Sequence, residues 1–298
     1  MSKAITNKLK AGIQISKFWD YYLLAKFRLS LMVVISSVLA YMVVAGSAFN
    51  FITMALLFIG GLAVTCAANG INQVLEKEFD MMMERTKYRP LASNRMRSSE
   101  AVLFSGLLLV TGTICLSLIN PLSGFFGMAS FILYAFVYTP LKRYSTISVA
   151  IGAIPGALPL LIGTIAHEGT ITIFGVCLFM IQFLWQFPHF WAISFLAFDD
   201  YDKAGFKLLP KGKDGAIDKN LGFYSAIYSL LIIPVVLWAH FAGFQIHIFA
   251  LVGIIIMTII YTALGLKLQT KPSRQSALSL MFFSFFYLPI VLILYLIG

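Results

Sequence analysis

The strongest constraint on the fold of this chain is a series of long apolar stretches, several of which reach the roughly 20 residues that a bilayer-spanning helix needs. Hydrophobic residues make up 60% of the sequence and charged residues 11%, which excludes an ordinary soluble globular protein. We therefore predict an all-α polytopic membrane protein, with nine transmembrane helices in a single bundle around a central cavity. The spans are expected at residues 29–49, 51–75, 101–119, 121–140, 147–166, 172–197, 221–241, 246–267 and 277–297.

The distribution of positive charge predicts the orientation. All 22 Lys and Arg residues fall on one side of the nine-span arrangement, and the positive-inside rule makes that side cytoplasmic. The N-terminus is then cytoplasmic and the C-terminus periplasmic. We expect residues 1–28 to be a cytoplasmic or interfacial segment without a signal peptide, and residues 29–298 to be the membrane domain. The net charge of +10 is explained by this topology and by anionic lipid, and we predict no nucleic-acid partner.

A densely charged stretch follows the second span. Asn72, Glu76 and Asp80 stand at i, i+4 and i+8, and Glu84 continues the series, so on a helix these side chains line one face. Oxygen ligands with this spacing suit Mg²⁺, which is usually held by one or two carboxylates together with phosphate oxygens. The alternative is a solvated helix end whose acids and bases face water or pair with one another. The cations that follow directly could bind phosphate: Arg85, Lys87 and Arg89.

A second acidic cluster, Asp199, Asp200 and Asp202, follows the sixth span. Spans two and six run in the same direction, so both charged segments emerge on one face of the bundle and could converge on one site. Two facing acidic clusters would bind a diphosphate through Mg²⁺, whereas either cluster alone could be a surface feature.

Three polar residues interrupt the apolar sixth span. Gln182, Gln186 and His189 stand at i, i+4 and i+7, which predicts one polar stripe that points inward, because polar groups at membrane depth need a partner or a cavity. Hydrogen bonding between helices is the structural alternative. For His189 in particular, binding of haem and a bond to a neighbouring helix carry equal weight.

Several of these segments together resemble the UbiA-type intramembrane prenyltransferase superfamily. They are the Asn72–Asp80 spacing, the ERTKYRPL run at 84–91, the WQFPHFW block at 185–191 and the DYDKAGF stretch at 200–206. The WQxPHF block is most similar to the protohaem IX farnesyltransferase (haem O synthase) family within that superfamily, and the resemblance extends over almost the whole chain. Three positions depart from the usual pattern: Glu76 for Asp, Phe27 for Pro and Leu208 for Met.

The resemblance implies transfer of a farnesyl group from farnesyl diphosphate to a vinyl group of protohaem IX (haem B), which yields haem O. It implies Mg²⁺ as the cofactor, haem as a substrate, and the bacterial cytoplasmic (inner) membrane as the location. Haem A synthase or terminal oxidase assembly are the implied protein partners. Mg²⁺ would bridge the diphosphate to Asn72, Glu76, Asp80 and Asp200, with Asp199 as a further candidate.

The resemblance also implies roles for other side chains. Lys142 and Arg143 would join the metal ligands as catalytic residues, because they would stabilise charge on the departing diphosphate. The implied diphosphate-binding residues are Arg85, Lys87, Arg89, Lys26 and Arg28. The implied haem-binding residues are His189, Gln186, Trp185 and Gln182.

Three other functions stay open on the sequence. A prenyltransferase that acts on a quinone precursor is the nearest of them. A transporter would place ionisable residues at the bilayer midplane and show repeat-related broken helices, whereas the acids here stand at span ends. A haem chaperone would need no diphosphate site.

Overall fold

The computed structural model describes residues 16–212, 215–244 and 246–298. Within these ranges nine helices are long and apolar enough to cross a membrane, which confirms the predicted number, and their ends lie within a few residues of the predicted ones. We number the helices α1 (Lys17–Leu24), α2 (Phe27–Ala48), α3 (Phe51–Leu75), α4 (Lys77–Met82), α5 (Ser98–Ile119), α6 (Pro121–Leu141), α7 (Ser148–Glu168), α8 (Ile173–Leu196), α9 (Phe198–Lys203), α10 (Leu221–Phe241), α11 (Ile248–Thr270) and α12 (Arg274–Ile297).

Side-chain caps begin several of the spans. Asn50, Asn120, Thr172 and Ser273 each accept a hydrogen bond from a backbone N–H in the first turn of the helix that follows. These N–H groups have no partner within the helix, so a capping oxygen stabilises each start by about 1 kcal/mol.

Helix α7 fills the middle of the bundle. It packs against α2, α6 and α8. Of its most apolar 18 residues, 72% are buried inside the protein, the largest share among the described spans. Close approach depends on glycine: a Cβ atom at Gly163 would lie 2.2 Å from the backbone oxygen of Ser37 in α2. Helix α8 also packs against α10 and α12, and α12 packs against α2. The spans therefore form one bundle, and the cavity described below lies at its end.

The predicted row of oxygen ligands spans the junction of α3 and α4. The backbone N–H groups of Glu76 and Asp80 donate to the carbonyls of Asn72 and Glu76 at 3.0 and 2.8 Å, so these three residues keep helical spacing. The predicted continuation of the row to Glu84 is wrong, because α4 ends before it reaches that position. Glu84 is exposed and forms an ion pair with Lys87 at 2.7 Å.

Residues 1–28 were predicted to form an interfacial segment, and the part before residue 16 lies outside the described residues. The described part contains α1, on which Phe18 is largely exposed and Asp20 is buried. One side of α1 therefore packs on the protein while apolar side chains project from the other, as expected of an interfacial helix.

Candidate active site

A cavity of about 180 Å³ lies at the end of the bundle where the two charged segments meet. The first segment reaches it from α3, from α4 and from the loop at residues 83–97, and the second reaches it from α9 and the residues after α9. The convergence predicted from span direction is therefore confirmed. Its lining residues are Lys26, Leu29, Asn72, Glu76, Asp80, Met83, Arg85, Thr86, Arg89, Tyr134, Tyr138, Lys142, Tyr201, Phe206 and Leu208.

The three predicted oxygen ligands in this cavity are almost completely buried. Asn72 and Asp80 are each 1% exposed and Glu76 is 3% exposed. They do not face water, so a solvated helix end does not describe them. A buried carboxylate is costly unless it is paired and hydrogen-bonded, which explains why Glu76 and Asp80 each have a cationic neighbour.

Each predicted ligand contacts one cation of the cavity. Arg89 Nη1 donates to both carboxylate oxygens of Asp80, at 2.8 and 2.7 Å. Lys142 forms an ion pair with Glu76. The third ligand differs because it is neutral: the Asn72 Oδ1 accepts a hydrogen bond from Lys26 Nζ at 2.8 Å. Each oxygen ligand is therefore paired with one cation, an arrangement that can hold both a metal cation and an anion.

Burial and neighbouring charges set the protonation of two of these groups. Burial holds the pKa of the Lys26 ammonium well below its usual value, and the positive charge of Arg89 acts in the same direction. Burial acts to raise the pKa of Glu76, but the ammonium of Lys142 outweighs it, so that the pKa lies below its usual value. Burial thus opposes the charged form of Lys26, whereas the carboxylate of Glu76 stays ionised.

Helix α9 carries the second acidic cluster to the edge of the cavity. Asp200 Oδ2 accepts a hydrogen bond from the backbone N–H of Arg85 at 3.3 Å, and Asp199 is exposed. Arg85 also donates to the Tyr201 hydroxyl at 2.9 Å. Tyr201 lines the cavity from α9, and none of the three predicted aspartates, Asp199, Asp200 and Asp202, does. Across the described residues no group of three or more His, Cys, Asp or Glu side chains is placed to hold a metal.

Three of the predicted cations lie outside the cavity lining. Lys87 pairs with Glu84, and the exposed Arg28 donates to a tyrosine hydroxyl of α1 at 3.1 Å. Arg143 donates to the carbonyl of Leu75 at 3.1 Å and stacks over the Phe79 ring at 3.8 Å. Arg143 therefore caps the C-terminal end of α3 and joins it to α4. A direct contact of these three residues with diphosphate remains a prediction.

Aromatic residues of α6 complete the cavity, and our sequence reasoning gave them no role there. A π-helical segment at Leu133–Tyr138 turns Tyr134 and Tyr138 toward it. Lys142 Nζ lies 4.8 Å from the centre of the Tyr138 ring, and the Asn72 amide donates to Thr139 Oγ1 at 3.0 Å. That bond orients Asn72 so that its oxygen faces Lys26. The YT pair just before Lys142 was the available sequence signal.

The two glutamines of α8 bind the backbone of α7. Gln186 Nε2 donates to the carbonyl of Ala153 at 2.9 Å, and Gln182 Nε2 donates to that of Gly156 at 3.3 Å. A Cβ atom at Gly156 would lie 1.9 Å from Gln186 Oε1, so only glycine leaves room for this amide. The geometry favours the helix-to-helix alternative for both glutamines.

His189 faces a different neighbour. Its Nδ1 lies 2.7 Å from Ser284 Oγ in α12, and its ring stacks on Trp185 with centroids 4.7 Å apart. Trp185 Nε1 in turn donates to the carbonyl of Ser284 at 3.0 Å. The predicted stripe is thus divided between α7, which receives the glutamines, and α12, which receives the histidine.

The hydrogen bonds of Ser284 favour one tautomer of His189. Ser284 Oγ lies 2.6 Å from the carbonyl of Met281, and when it donates its proton there it accepts from the imidazole. In this arrangement the His189 Nδ1 carries a proton, and in the neutral ring the lone pair lies on Nε2. A bare Nε2 is the form of histidine that binds a metal.

Comparison with known proteins identifies a matching family and similar proteins. Residues 33–286 match the UbiA prenyltransferase family. The protoheme IX farnesyltransferase of Cytophaga hutchinsonii is 40% identical over 293 residues, which cover 95% of this chain and 98% of that protein. The protoheme IX farnesyltransferase of Christiangramia forsetii is 38% identical over 290 residues, which cover 94% of this chain and 93% of that protein.

Two solved structures share the fold. A digeranylgeranylglyceryl phosphate synthase superposes with a TM-score of 0.78 at 21% identity, over 95% of this chain and 99% of that one. A UbiA homologue from Archaeoglobus fulgidus bound to GPP and Mg²⁺ superposes with a TM-score of 0.65 at 12% identity, over 93% and 99%. Because the family match spans most of the membrane domain, and because curated relatives align over nearly their full length, this chain belongs to the UbiA prenyltransferase family.

Proposed function

We propose that this protein transfers a farnesyl group from farnesyl diphosphate to a vinyl group of protohaem IX and so makes haem O. One observation carries the proposal: a cavity at the end of an apolar bundle, lined by two buried carboxylates, a buried amide and four cations. The name shared by the relatives from Cytophaga and Christiangramia supports haem as the acceptor. The product would pass to haem A synthase or to terminal oxidase assembly.

The donor set in the cavity fits Mg²⁺. Glu76, Asp80 and Asn72 offer hard oxygen ligands, and Mg²⁺ is commonly held by one or two carboxylates while substrate phosphates and water complete its shell. The two buried carboxylates match that pattern. The bound metal would supply charge neutralisation for the diphosphate. Asp200, one hydrogen bond from Arg85, stands at the edge as a further candidate, and the exposed Asp199 is a weaker one.

The cations of the chain would bind and stabilise the leaving group. When the allylic C–O bond breaks, its electron pair leaves with the diphosphate, and Lys26, Arg89 and Lys142 would donate to the oxygens that gain charge. The vinyl π electrons of the haem then form the new C–C bond. Water adds to the resulting cation and releases a proton, which leaves a hydroxyl group on the product. The apolar bundle would hold the farnesyl chain and exclude water until the bond has formed.

The haem acceptor would bind near the WQFPHF block of α8. His189 is the proposed ligand, since its ring is held between Trp185 and Ser284, and a proton on Nδ1 leaves the Nε2 lone pair for the iron. Gln182 and Gln186 would act on haem binding indirectly, because they fix α8 against α7. An aromatic-rich region suits a planar apolar substrate.

The decisive assay incubates membranes that contain the protein with protohaem IX, farnesyl diphosphate and Mg²⁺, followed by mass spectrometry of the haem. The expected product is haem whose mass has increased by one farnesyl group and one hydroxyl group. A prenylated aromatic quinone precursor with unmodified haem would support the quinone alternative. Solute movement into liposomes without consumption of farnesyl diphosphate would support a transporter.

Replacement of His189 by Ala is expected to weaken haem binding at least about tenfold and to change the haem absorption spectrum, because an iron ligand is lost. Farnesyl diphosphate affinity, measured without haem, should stay within about twofold of the parent. Spectral titration of the purified protein with haem measures the first, and calorimetry measures the second. His240→Ala in α10 is the control. An unchanged haem spectrum combined with lower thermal stability would assign His189 a purely structural role.

The proposed orientation in a bacterial inner membrane predicts a labelling pattern. Both Glu168 and Ser98 are exposed and stand at opposite ends of the bundle. In intact cells a membrane-impermeant thiol reagent should label Glu168→Cys, while Ser98→Cys should react only after lysis. The parent protein is the control for its own cysteines, all within the helical spans. The reverse pattern would place the N-terminus outside.

A further inference from the structure

A buried ion pair lies outside the cavity and ties α1 to the loop that carries Arg89. Arg95 Nε donates to Asp20 Oδ1 at 2.9 Å, and the carboxylate of Asp20 is 4% exposed. A carboxylate buried to this degree is destabilising unless its partner is well placed. The position of Arg95 is therefore fixed from the side of α1.

The same guanidinium holds the backbone on both sides of Arg89. Arg95 Nη2 donates to the carbonyl of Tyr88 at 3.0 Å, and Nη1 donates to the hydroxyl of Ser93. Ser93 Oγ then donates to the carbonyl of Arg89 itself at 2.7 Å. The two terminal nitrogen atoms of Arg95 thus hold the backbone around Arg89, while its Nε binds Asp20.

The other end of α1 leads to a second cation of the cavity. Gln73 Nε2 donates to the carbonyls of Leu23 and Leu24, at 3.0 and 2.7 Å, and so holds the end of α1. Two residues later the chain turns at Lys26, which has the left-handed angles φ 44° and ψ 45° and reaches Asn72. Helix α1 therefore connects the backbone of Lys26 to that of Arg89 through Asp20 and Arg95.

We propose that Asp20 and Arg95 are positioning residues for diphosphate binding: through α1 they set the position of Arg89 relative to Lys26. Neither residue lines the cavity, so they act through these two cations. The inference rests on the proposed role of the cavity as a diphosphate site. It requires arginine at 95, because a lysine can pair with Asp20 but has no planar fork to hold a carbonyl and a hydroxyl as well.

The test is Arg95→Lys in the full-length protein, with the affinity for inorganic diphosphate measured by calorimetry in the presence of Mg²⁺. We expect the affinity to fall about tenfold, as for loss of charge-assisted hydrogen bonds, while the affinity for haem stays within about twofold. Ser93→Ala breaks one link of the same network without disturbing the ion pair. It should weaken diphosphate binding about threefold, and it decides the question if Arg95→Lys does not fold.

Tyr21→Phe is the matched control. The Tyr21 hydroxyl donates to Glu100 Oε1 of α5 at 2.8 Å, so it joins the same helix α1 to a different element. Phenylalanine keeps the ring and removes only this bond, so diphosphate affinity should be unchanged. If Tyr21→Phe weakens binding as much as Arg95→Lys, attachment of α1 alone matters and the proposal is overturned.

Arg89→Ala separates failure of this inference from failure of the proposed function. If Arg89→Ala weakens diphosphate binding while Arg95→Lys and Ser93→Ala remain within twofold of the parent, the positioning role is wrong. The proposal that the cavity binds diphosphate is then still supported. If Arg89→Ala has no effect, the cavity is not the diphosphate site, and the inference fails with it.

Discussion

Replacement of Asp80 by Asn is expected to lower farnesyl transfer by about three orders of magnitude while folded protein persists. The side chain is 1% exposed, and both of its oxygens accept hydrogen bonds from Arg89. Asparagine keeps the shape but removes the negative charge that would bind Mg²⁺, and it directs an N–H group toward the arginine or the metal. Turnover is measured in detergent with saturating haem over a range of Mg²⁺ concentrations.

Glu78→Gln is the control for this variant, since Glu78 is an exposed acid on the same short helix α4. It should retain parental turnover. Thermal unfolding of both proteins separates lost chemistry from lost structure. Near-parental turnover of Asp80→Asn at saturating Mg²⁺ would remove Asp80 from the metal site.

The second large effect concerns the ion pair between Lys142 and Glu76. Lys142→Gln should lower turnover about a hundredfold, because the diphosphate loses a cation that stabilises its departure. It should also destabilise the protein by about 3–5 kcal/mol, because the 3% exposed Glu76 carboxylate is left buried without its partner. Turnover at saturating substrate and the midpoint of thermal unfolding measure the two effects separately.

The double variant Glu76→Gln with Lys142→Gln distinguishes chemistry from structure. Removal of both charges should restore most of the stability, because no uncompensated ion remains, yet turnover should stay low. Lys207→Gln is the control: its side chain is exposed, and the bond from its backbone N–H to the carbonyl of Lys142 at 2.7 Å is unaffected. Parental turnover of the double variant would mean that this pair serves only the fold.

Part of the site could be predicted because helical spacing is local. Asn72, Glu76 and Asp80 were predicted on one face and do line one cavity. The continuation to Glu84 failed because the end of a helix depends on the turn that follows it, which spacing does not encode. The convergence of the two charged segments followed from span direction alone, but its detail did not, since Tyr201 and not Asp200 reaches the cavity.

Rotation of a helix among its neighbours was beyond the sequence pattern. Gln186 and His189 stand three residues apart and were placed on one stripe, yet one binds α7 and the other contacts α12. Polar residues in a membrane bind whichever neighbour is within reach, and the identity of that neighbour depends on the packing of the whole bundle. Only the structure identifies Ser284 of α12 as the hydrogen-bond partner of His189.

By itself, the sequence determined that nine apolar helices would form and approximately where each begins and ends. The physical reason is that a backbone within a bilayer must satisfy its own hydrogen bonds, so about 20 consecutive apolar residues specify a helix without reference to the rest of the chain. Only the tertiary structure decided which cation contacts each of the three oxygen ligands. Lys26, Arg89 and Lys142 come from three separate segments, and their meeting with Asn72, Asp80 and Glu76 depends on how the helices pack.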